Sequence, residues 1–201
     1  MSACAQDFNK VKQELENIHK EDQETRQQFV QAITDTIQST ARIDSLGKVM
    51  EYKDSVNLIQ VSRILDSYGW LGADKIGEDG NQTLFLVIQH ADLQTQLKYI
   101  PMLREAVGRG DGTKRNLAMM EDRIATRQQK LQIYGSQIGQ FMDSKRYYVL
   151  PLLDPESVDL RRAEVGMQPM ASYIKQFNLT WDPKEYIKEL PRIKELSGFK
   201  Q

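Results

Sequence analysis

The sequence has 201 residues, of which 40% are hydrophobic and 27% are charged. This length is enough to close one hydrophobic core, and the high charged fraction favours slender helices that each bury one stripe. Because 27 basic residues balance 28 acidic ones, no net charge favours nucleic acid or an anionic membrane as a partner. No apolar run approaches the roughly 20 residues of a membrane-spanning helix.

The first residues resemble the end of an export leader. The stretch Ser-Ala-Cys-Ala-Gln at positions 2–6 fits either a cleavage site before Gln6 or a lipoprotein box that ends at Cys4. We therefore expect residues 1–6 to be a leader remnant or a disordered terminus, and Cys4 to be a candidate site for a lipid anchor. The expected location is periplasmic or secreted, and a cytoplasmic protein with a frayed terminus is the alternative.

Helical spacing of apolar residues dominates the next part of the chain. The spacing predicts one long amphipathic helix from Phe8 to Ile37, and a second helix that begins near Ile43 and ends at Gly69, a glycine suited to a helix C-terminus. Residues 71–80 are rich in Gly and Asp and predict a loop.

A helix that carries apolar residues from Leu84 to Ala91 follows the predicted loop. Asp92 is a suitable N-cap for a helix over residues 94–107, within which Pro101 predicts a kink or a new start. Residues 114–127 predict a further helix of the same amphipathic kind.

The character of the sequence changes after residue 131. Two short aromatic and apolar runs, residues 132–138 and 147–152, predict a small β-hairpin. The sequence Asp154-Pro155-Glu156 is typical of a helix start, and two short helices are expected near residues 170–177 and 183–190. The predicted fold is therefore mainly α, a multi-helix single domain over residues 7–201 with one small β-hairpin near residues 132–152.

The sequence argues against a structural zinc site. Two histidines and one cysteine cannot supply four Cys or His ligands, and the acidic residues lack the alternating spacing of a calcium loop. We therefore expect neither a metal ion nor a cofactor.

His90 is the leading candidate for proton transfer. It follows a strongly apolar helix and is expected to be partly buried, and an imidazole titrates near neutral pH. His90 and Asp92 cannot form a direct pair on one unbroken helix, because residues two apart point about 200° from one another. A histidine that only satisfies a backbone carbonyl is the alternative.

A second polar segment follows residue 131. In a strand, Gln132, Tyr134 and Ser136 would share one face and Gln137 would point the other way. This face would present amide and phenol groups to a ligand or form the wet side of a hairpin. Ser136 has no identifiable triad partners, so the sequence gives no serine nucleophile.

Arginines form a third polar segment. Arg161 and Arg162 are consecutive and diverge by about 100° on a helix, so that one of them can turn inward. A buried arginine needs a carboxylate partner or an anionic ligand, and Asp154 and Arg123 supply further charges. Surface ion pairs are the alternative.

Several motifs in one order resemble a bacterial family of unknown function whose members often carry export leaders. The likeness spans residues 7–182. It rests on Asp22-Gln23-x-x-Arg26, Asp54-x-x-Asn57, Gly69-Trp70, Gln89-His90-Ala91-Asp92, Asp122-Arg123, Gln132-x-Tyr134-Gly135-Ser136-Gln137 and Val158-Asp159-x-Arg161-Arg162-x-x-x-Gly166-Met167. The family's usual Thr is replaced by Ser136, which keeps the hydroxyl, and Leu71 stands where the family has Pro. The resemblance implies one shared site for His90, Gln137, Asp154, Arg161 and Arg162, and no activity.

The resulting hypothesis is a metal-independent hydrolase or transferase with a polar cleft for a small anionic or polar ligand. Its expected catalytic residues are His90, Asp154 and Tyr134. Its expected ligand-binding residues are Gln137, Arg161, Arg162, Arg123, Asp92 and Gln132. The alternative is a non-enzymatic binding or interaction module, in which the same residues form a structural network. The sequence does not decide whether the protein is an enzyme.

Overall fold

A computed structural model describes residues 2–34, 40–141 and 146–199, with the side chains of residues 2–7 and 34 outside this description. The described chain forms eight α-helices and one small antiparallel hairpin, which confirms the predicted mainly α fold class. It divides into two compact units, Met1–Gly112 and Thr113–Gln201. The leader-like start depends on Met1 and on the Cys4 side chain, which lie outside the described part of the chain.

The N-terminal unit contains four helices, α1 (Ser2–Thr34), α2 (Thr40–Tyr68), α3 (Ala73–His90) and α4 (Leu93–Arg109). Helix α1 packs against both α2 and α3, and its predicted apolar stripe buries Val11, Leu15 and Ile18. The predicted continuation of α1 to Ile37 lies outside the described residues. Helix α2 ends as predicted at Gly69, whose φ of 74° is readily adopted by glycine.

The predicted loop over residues 71–80 is wrong from Ala73 onward, where α3 begins. Gly77 has φ 75° inside α3 and produces a kink, a conformation that glycine adopts without a Cβ clash. Gly80 is buried against Ile76, and a Cβ added there would approach the Cβ of Ile76 to 3.2 Å. The glycines that predicted a loop therefore serve a kink and a close contact within one helix.

Helix α4 begins as predicted at Asp92, whose Oδ1 accepts a hydrogen bond of 2.7 Å from the backbone N–H of Thr95. The helix continues through Pro101 without a new start and ends at Gly110, which has φ 85°. Asp92 thus acts as a helix cap. None of the helices in the described ranges combines the length and the apolar character needed to cross a membrane.

The C-terminal unit begins with α5, whose bounds of Lys114–Arg127 agree with the prediction. The short strands β1 (Ile138–Gln140) and β2 (Tyr147–Val149) pair antiparallel, with Ile138 opposite Val149. The later helices are α6 (Val158–Glu164), α7 (Met170–Ile174) and α8 (Pro183–Leu196), and short 3₁₀ turns precede α6 and follow α7. The core of this unit consists of Val149, Leu152, Val158, Met170, Ile174, Tyr186 and Ile193.

The predicted strand over residues 132–138 is wrong for all but its last residue. Gln132 makes an isolated parallel bridge to Leu152, and residues 133–137 form an irregular loop. Gly135 has φ 69°, and a Cβ there would come within 2.8 Å of the Met170 sulfur. Because this residue leaves the β region, the side chains of the loop do not alternate between two faces.

Candidate functional site

The irregular segment of residues 133–137, called here the 133–137 loop, is held by the carboxylate of Asp122. Asp122 lies on α5 with none of its surface exposed. It accepts backbone hydrogen bonds from Ile133 at 2.7 Å, from Tyr134 at 3.0 Å and from Ser136 at 2.9 Å. Burial raises the pKa of Asp122, and the backbone N–H groups oppose this shift by stabilising the charged form.

Arg161 binds the same loop from α6. Its Nε donates to the carbonyl of Ile133 at 2.9 Å, and its Nη2 donates to the carbonyls of Leu153 and Asp154 at 2.6 and 2.8 Å. The Asp154 carboxylate adds an ion pair of 3.3 Å and is about half exposed. Both predicted site residues therefore meet, and Arg161 mainly binds main-chain oxygens.

Arg162 is the inward member of the arginine pair, with only 2% of its surface exposed. Its Nη1 donates to the carbonyl of Tyr134 and its Nε to that of Gln168, both at 2.6 Å. Its guanidinium lies 4.9 Å from the ring centre of Tyr173, and the Tyr173 hydroxyl donates to the carbonyl of Ser136 at 2.7 Å. Burial lowers the pKa of Arg162.

The two glutamines of the motif close the network. The Gln132 side chain donates to the carbonyls of Gln137 and Leu150, and it accepts from the Gln137 backbone N–H at 2.8 Å. The Gln137 side chain accepts from Arg123 Nε at 3.0 Å. Arg123, Gln132 and Gln137, all predicted to bind ligand, thus bind one another and the main chain.

The side chain of Tyr134 is half-buried. Burial raises the pKa of its phenol, and the nearby carboxylates of Glu121 and Asp122 raise it further. The phenol is therefore protonated at neutral pH and is a hydrogen-bond donor rather than a base.

A second set of motif residues surrounds a small pocket in the N-terminal unit. The pocket has a volume of about 110 Å³ and lies between α2 and α3. Its polar lining is Asp54, Ser55, Asn57 and His90, and its apolar lining is Leu58, Val87 and Ala91. His90 is half-buried, as predicted. The pocket joins an imidazole, a carboxylate and an amide in one small space.

Arg26 of α1 anchors the carboxylate side of this pocket. Its Nε donates to Asp22 at 3.0 Å and its Nη2 donates to Asp54 at 2.6 Å, while its Nη1 lies 3.7 Å from the sulfur of Met50. Burial raises the pKa of Asp54. Arg26 opposes this shift, whereas the carboxylates of Asp22 and Glu51 strengthen it. Every nitrogen of the Arg26 guanidinium therefore has a protein contact.

Asn57 has the most informative side chain of the pocket. Only 6% of Asn57 is exposed, and its buried Nδ2 has no hydrogen-bond acceptor among the described residues. Asn57 also borders a second cavity, of about 280 Å³, between α1 and α2. Since a buried amide without a partner costs about 1–3 kcal/mol, Asn57 Nδ2 calls for an acceptor that is not part of the described chain.

The predicted site residues fall into two sets. His90 and Asp92 belong to the N-terminal unit, where Asp92 caps α4 and is not part of the pocket lining. All the others belong to the C-terminal unit, where Asp122 and the arginines hold the 133–137 loop. The predicted convergence of the two sets stays a prediction.

Sequence reasoning did not select Asp54 and Asn57 as site residues. Both belong to the motif Asp54-x-x-Asn57, in which a spacing of three places two polar side chains on one helix face. That spacing was the available signal. It could not indicate His90 as the neighbour, because His90 lies on another helix.

These observations define a mainly helical protein with a small polar pocket in one unit and a closed polar network in the other. The model of a family of unknown function, DUF6624, matches residues 9–184, and the chain belongs to this family. The predicted membership of an uncharacterised family is thereby confirmed. Neither the curated proteins nor the solved structures gave a match.

Proposed function

We propose that this protein is a hydrolase or transferase whose active site is the pocket between α2 and α3. The observation that carries this proposal is the buried Nδ2 of Asn57, which has no acceptor among the described residues, on a residue that lines the same pocket as His90 and Asp54. A site that binds a ligand oxygen needs a hydrogen-bond donor for it, and such a donor lowers the stability of the protein while the ligand is absent.

In this scheme His90 acts as the general base. Its imidazole takes a proton from the nucleophile, which is water in a hydrolase and a hydroxyl or amine in a transferase, as the nucleophile attacks the electrophilic centre. Asn57 Nδ2 donates to the substrate oxygen that gains negative charge. When the bond to the leaving group breaks, the leaving group takes the proton back from His90. Proton and charge balance without further groups.

Arg26 and Asp22 act as positioning residues for Asp54. The 2.6 Å bond from Arg26 Nη2 fixes one oxygen of Asp54, and the 3.0 Å bond to Asp22 fixes the guanidinium in turn. Fixing a side chain in this way raises the reaction rate when it keeps the reacting groups aligned before the reaction begins. Asp54 is thereby held beside His90 in the pocket.

The polar network of the C-terminal unit supports a second function for that part of the chain, a non-enzymatic binding or interaction module. Asp122, Arg161 and Arg162 bind main-chain groups of the 133–137 loop. A fully satisfied network of this kind rigidifies a surface, which suits presentation of the half-buried Tyr134 to a partner.

The catalytic proposal is tested by the hydrolysis of p-nitrophenyl acetate, whose acetyl group is small enough for the pocket. His90→Gln keeps a polar side chain but cannot exchange a proton at neutral pH, and should lower the rate by about 10²–10⁴-fold. Asn57→Leu removes the oxygen-binding donor and should lower kcat by about 10²–10³-fold.

The matched control is His19→Gln. His19 is the other histidine of the chain, also in the N-terminal unit, and its Nδ1 bonds to Thr83 Oγ1 at 3.1 Å. His19→Gln should keep the wild-type rate if it remains folded by circular dichroism. Equal rates in the wild type, His90→Gln and Asn57→Leu would overturn the proposal.

A further inference from the structure

The hydrogen-bonding needs of the pocket restrict the ligand first. Asn57 Nδ2 carries only donor hydrogens and has no acceptor among the described residues. The ligand group at this position must therefore present an acceptor oxygen or nitrogen. A purely apolar group or an ammonium group would leave the buried Asn57 donor without an acceptor, and the free-energy cost of that unpaired donor would remain.

The charges around the pocket restrict the ligand further. Asp54 lines the pocket, and the charges that act on it come from the carboxylates of Asp22 and Glu51 and from the single guanidinium of Arg26. Three carboxylates, that of Asp54 included, thus act together with one cation. The set remains negative even when His90 is protonated. An anionic acceptor, such as a carboxylate or a phosphate, would meet like charges at short range in a partly desolvated space.

Arg26 does not offset this repulsion for an incoming anion. Its Nε and Nη2 donate to Asp22 and Asp54, and its Nη1 contacts the sulfur of Met50. An anion would have to displace one of these carboxylates in order to reach the guanidinium. The acceptor that the pocket favours is therefore an uncharged oxygen.

An uncharged carbonyl oxygen bonded to nitrogen fits all of these groups. The carbonyl oxygen can accept from Asn57, and an adjacent N–H can donate to the carboxylate of Asp54. The apolar side chains Leu58 and Val87 line the rest of the space, and about 110 Å³ admits only a small group.

We infer that the pocket between α2 and α3 recognises a neutral carboxamide-type group, as in an amide or a urea, through Asn57 and Asp54. This inference rests on the proposed function and names the substrate class of the same site. It narrows the expected small anionic or polar ligand to a neutral polar one. For the proposed reaction, the bond that His90 helps to break would then be a carbon–nitrogen bond, with the nitrogen taking the proton from the imidazole.

The test uses the full ¹⁵N-labelled chain and three probes of similar size, namely acetamide, acetate and methylammonium. Nuclear magnetic resonance follows the side-chain NH₂ signals of Asn57, identified by their loss in Asn57→Leu, and the ring signals of His90. For a ligand of so few atoms, acetamide should give a saturable shift with Kd on the order of 1–100 mM. Acetate and methylammonium should bind at least about tenfold more weakly at neutral pH, each lacking one of the required features.

The internal control is the side-chain amide of Asn81. It is as buried as Asn57, with 6% exposed, and its Nδ2 donates to the carbonyls of Leu71 and Asp111, both at 2.7 Å. Its signals should not move with any probe. Movement of Asn57 together with His90 by acetamide supports the inference.

The remaining outcomes separate the two proposals. Tighter binding of acetate or methylammonium than of acetamide overturns the neutral-ligand inference and leaves the proposed active site standing. Movement of Asn57 without His90 assigns acetamide to the cavity between α1 and α2, and overturns the inference. If no probe moves either residue, the pocket is not a ligand site and both proposals fall.

Discussion

Replacement of Asn57 by leucine is expected to stabilise the protein. Leucine has the same branching and the same number of side-chain heavy atoms as asparagine, so the substitution removes the buried Nδ2 donor, and the bulkier methyl groups of leucine can extend into the two cavities beside residue 57. A buried donor without a partner costs about 1–3 kcal/mol, and its removal should raise the free energy of unfolding by about 1–2 kcal/mol. In a chain of this length, each 1 kcal/mol moves Tm by about 2–4 °C. The expected rise in Tm is therefore about 2–8 °C.

Asn81→Leu is the matched control for this prediction. Asn81 is equally buried, with 6% exposed, and lies on α3 of the same unit, but both of its amide hydrogens are satisfied, by Leu71 and Asp111. Its replacement strands two carbonyl groups and should lower the free energy of unfolding by about 2–4 kcal/mol. Thermal unfolding followed by far-ultraviolet circular dichroism compares the two variants.

The opposite signs of the two shifts are the critical result. A fall in Tm for Asn57→Leu as large as that for Asn81→Leu would refute the reasoning, because it would mean that Asn57 is satisfied in the folded protein. A raised Tm together with lost hydrolysis of p-nitrophenyl acetate would identify a residue kept for function at the expense of stability.

Three further predictions concern charged side chains that are buried or half-buried. Asp122→Asn should lower the free energy of unfolding by about 3 kcal/mol in urea titration, because an amide has one acceptor oxygen for three backbone N–H groups; wild-type stability would contradict the role of this carboxylate. Arg162→Lys should lower the free energy of unfolding by about 2–4 kcal/mol, since one ammonium cannot reproduce the two-carbonyl fork. The control is Arg192→Lys on α8, where the arginine side chain is exposed, and it should change the free energy of unfolding by less than about 0.5 kcal/mol; equal effects would contradict the prediction. Burial raises the pKa of Asp54 above 3.8, so the folded protein favours the protonated carboxyl and ionisation of Asp54 lowers the free energy of unfolding. The Tm of the wild type should therefore fall relative to that of Asp54→Asn as the pH rises above 3.8. The Tm difference should become constant once Asp54 is fully ionised in the folded protein. A Tm difference that is independent of pH would contradict this sign.

The helices that the sequence predicted well are those with clear ends. Helix α5 agrees with its predicted bounds because Thr113 caps it, with its hydroxyl 3.1 Å from the backbone nitrogen of Asn116, and because glycine precedes the cap. Helix α2 ends at Gly69 for an equally local reason. Local signals of this kind depend on side chain and backbone within one turn, and sequence contains them directly.

The two wrong elements both contain glycines whose role is set at longer range. Gly77 reads as a loop residue, yet the buried residues Ile76 and Leu84 on either side hold it inside a kinked helix. Gly135 reads as part of a strand, yet Asp122, eleven to fourteen residues away from the groups it binds, draws the loop out of the β region. Tertiary contacts overrode local preference in both cases.

Only part of the candidate site could be predicted from the sequence. His90 could be selected from its chemistry, but its pocket partners Asp54 and Asn57 come from another helix. Helical spacing predicts which residues share a face of one helix, but it does not predict which face of that helix packs against a second helix. In the C-terminal unit, a sequence shows that Arg161 and Arg162 carry charge, while only the fold shows that their donors meet carbonyl oxygens.

The 133–137 loop has its main chain fixed from outside. Its N–H groups bind Asp122, and its carbonyl groups bind Arg161, Arg162 and Tyr173. None of these bonds uses the side chains of residues 133 and 134. Gly135 is confined by its positive φ, and the side chains of Ser136 and Gln137 are held by the bond between them and by the bond from Arg123 to Gln137. The loop is therefore a preformed platform on which the half-buried side chains of residues 133 and 134 can be exchanged while the backbone path stays the same. Such a platform would accept new side chains in protein engineering, and would let natural variants of this protein diversify their surface without refolding.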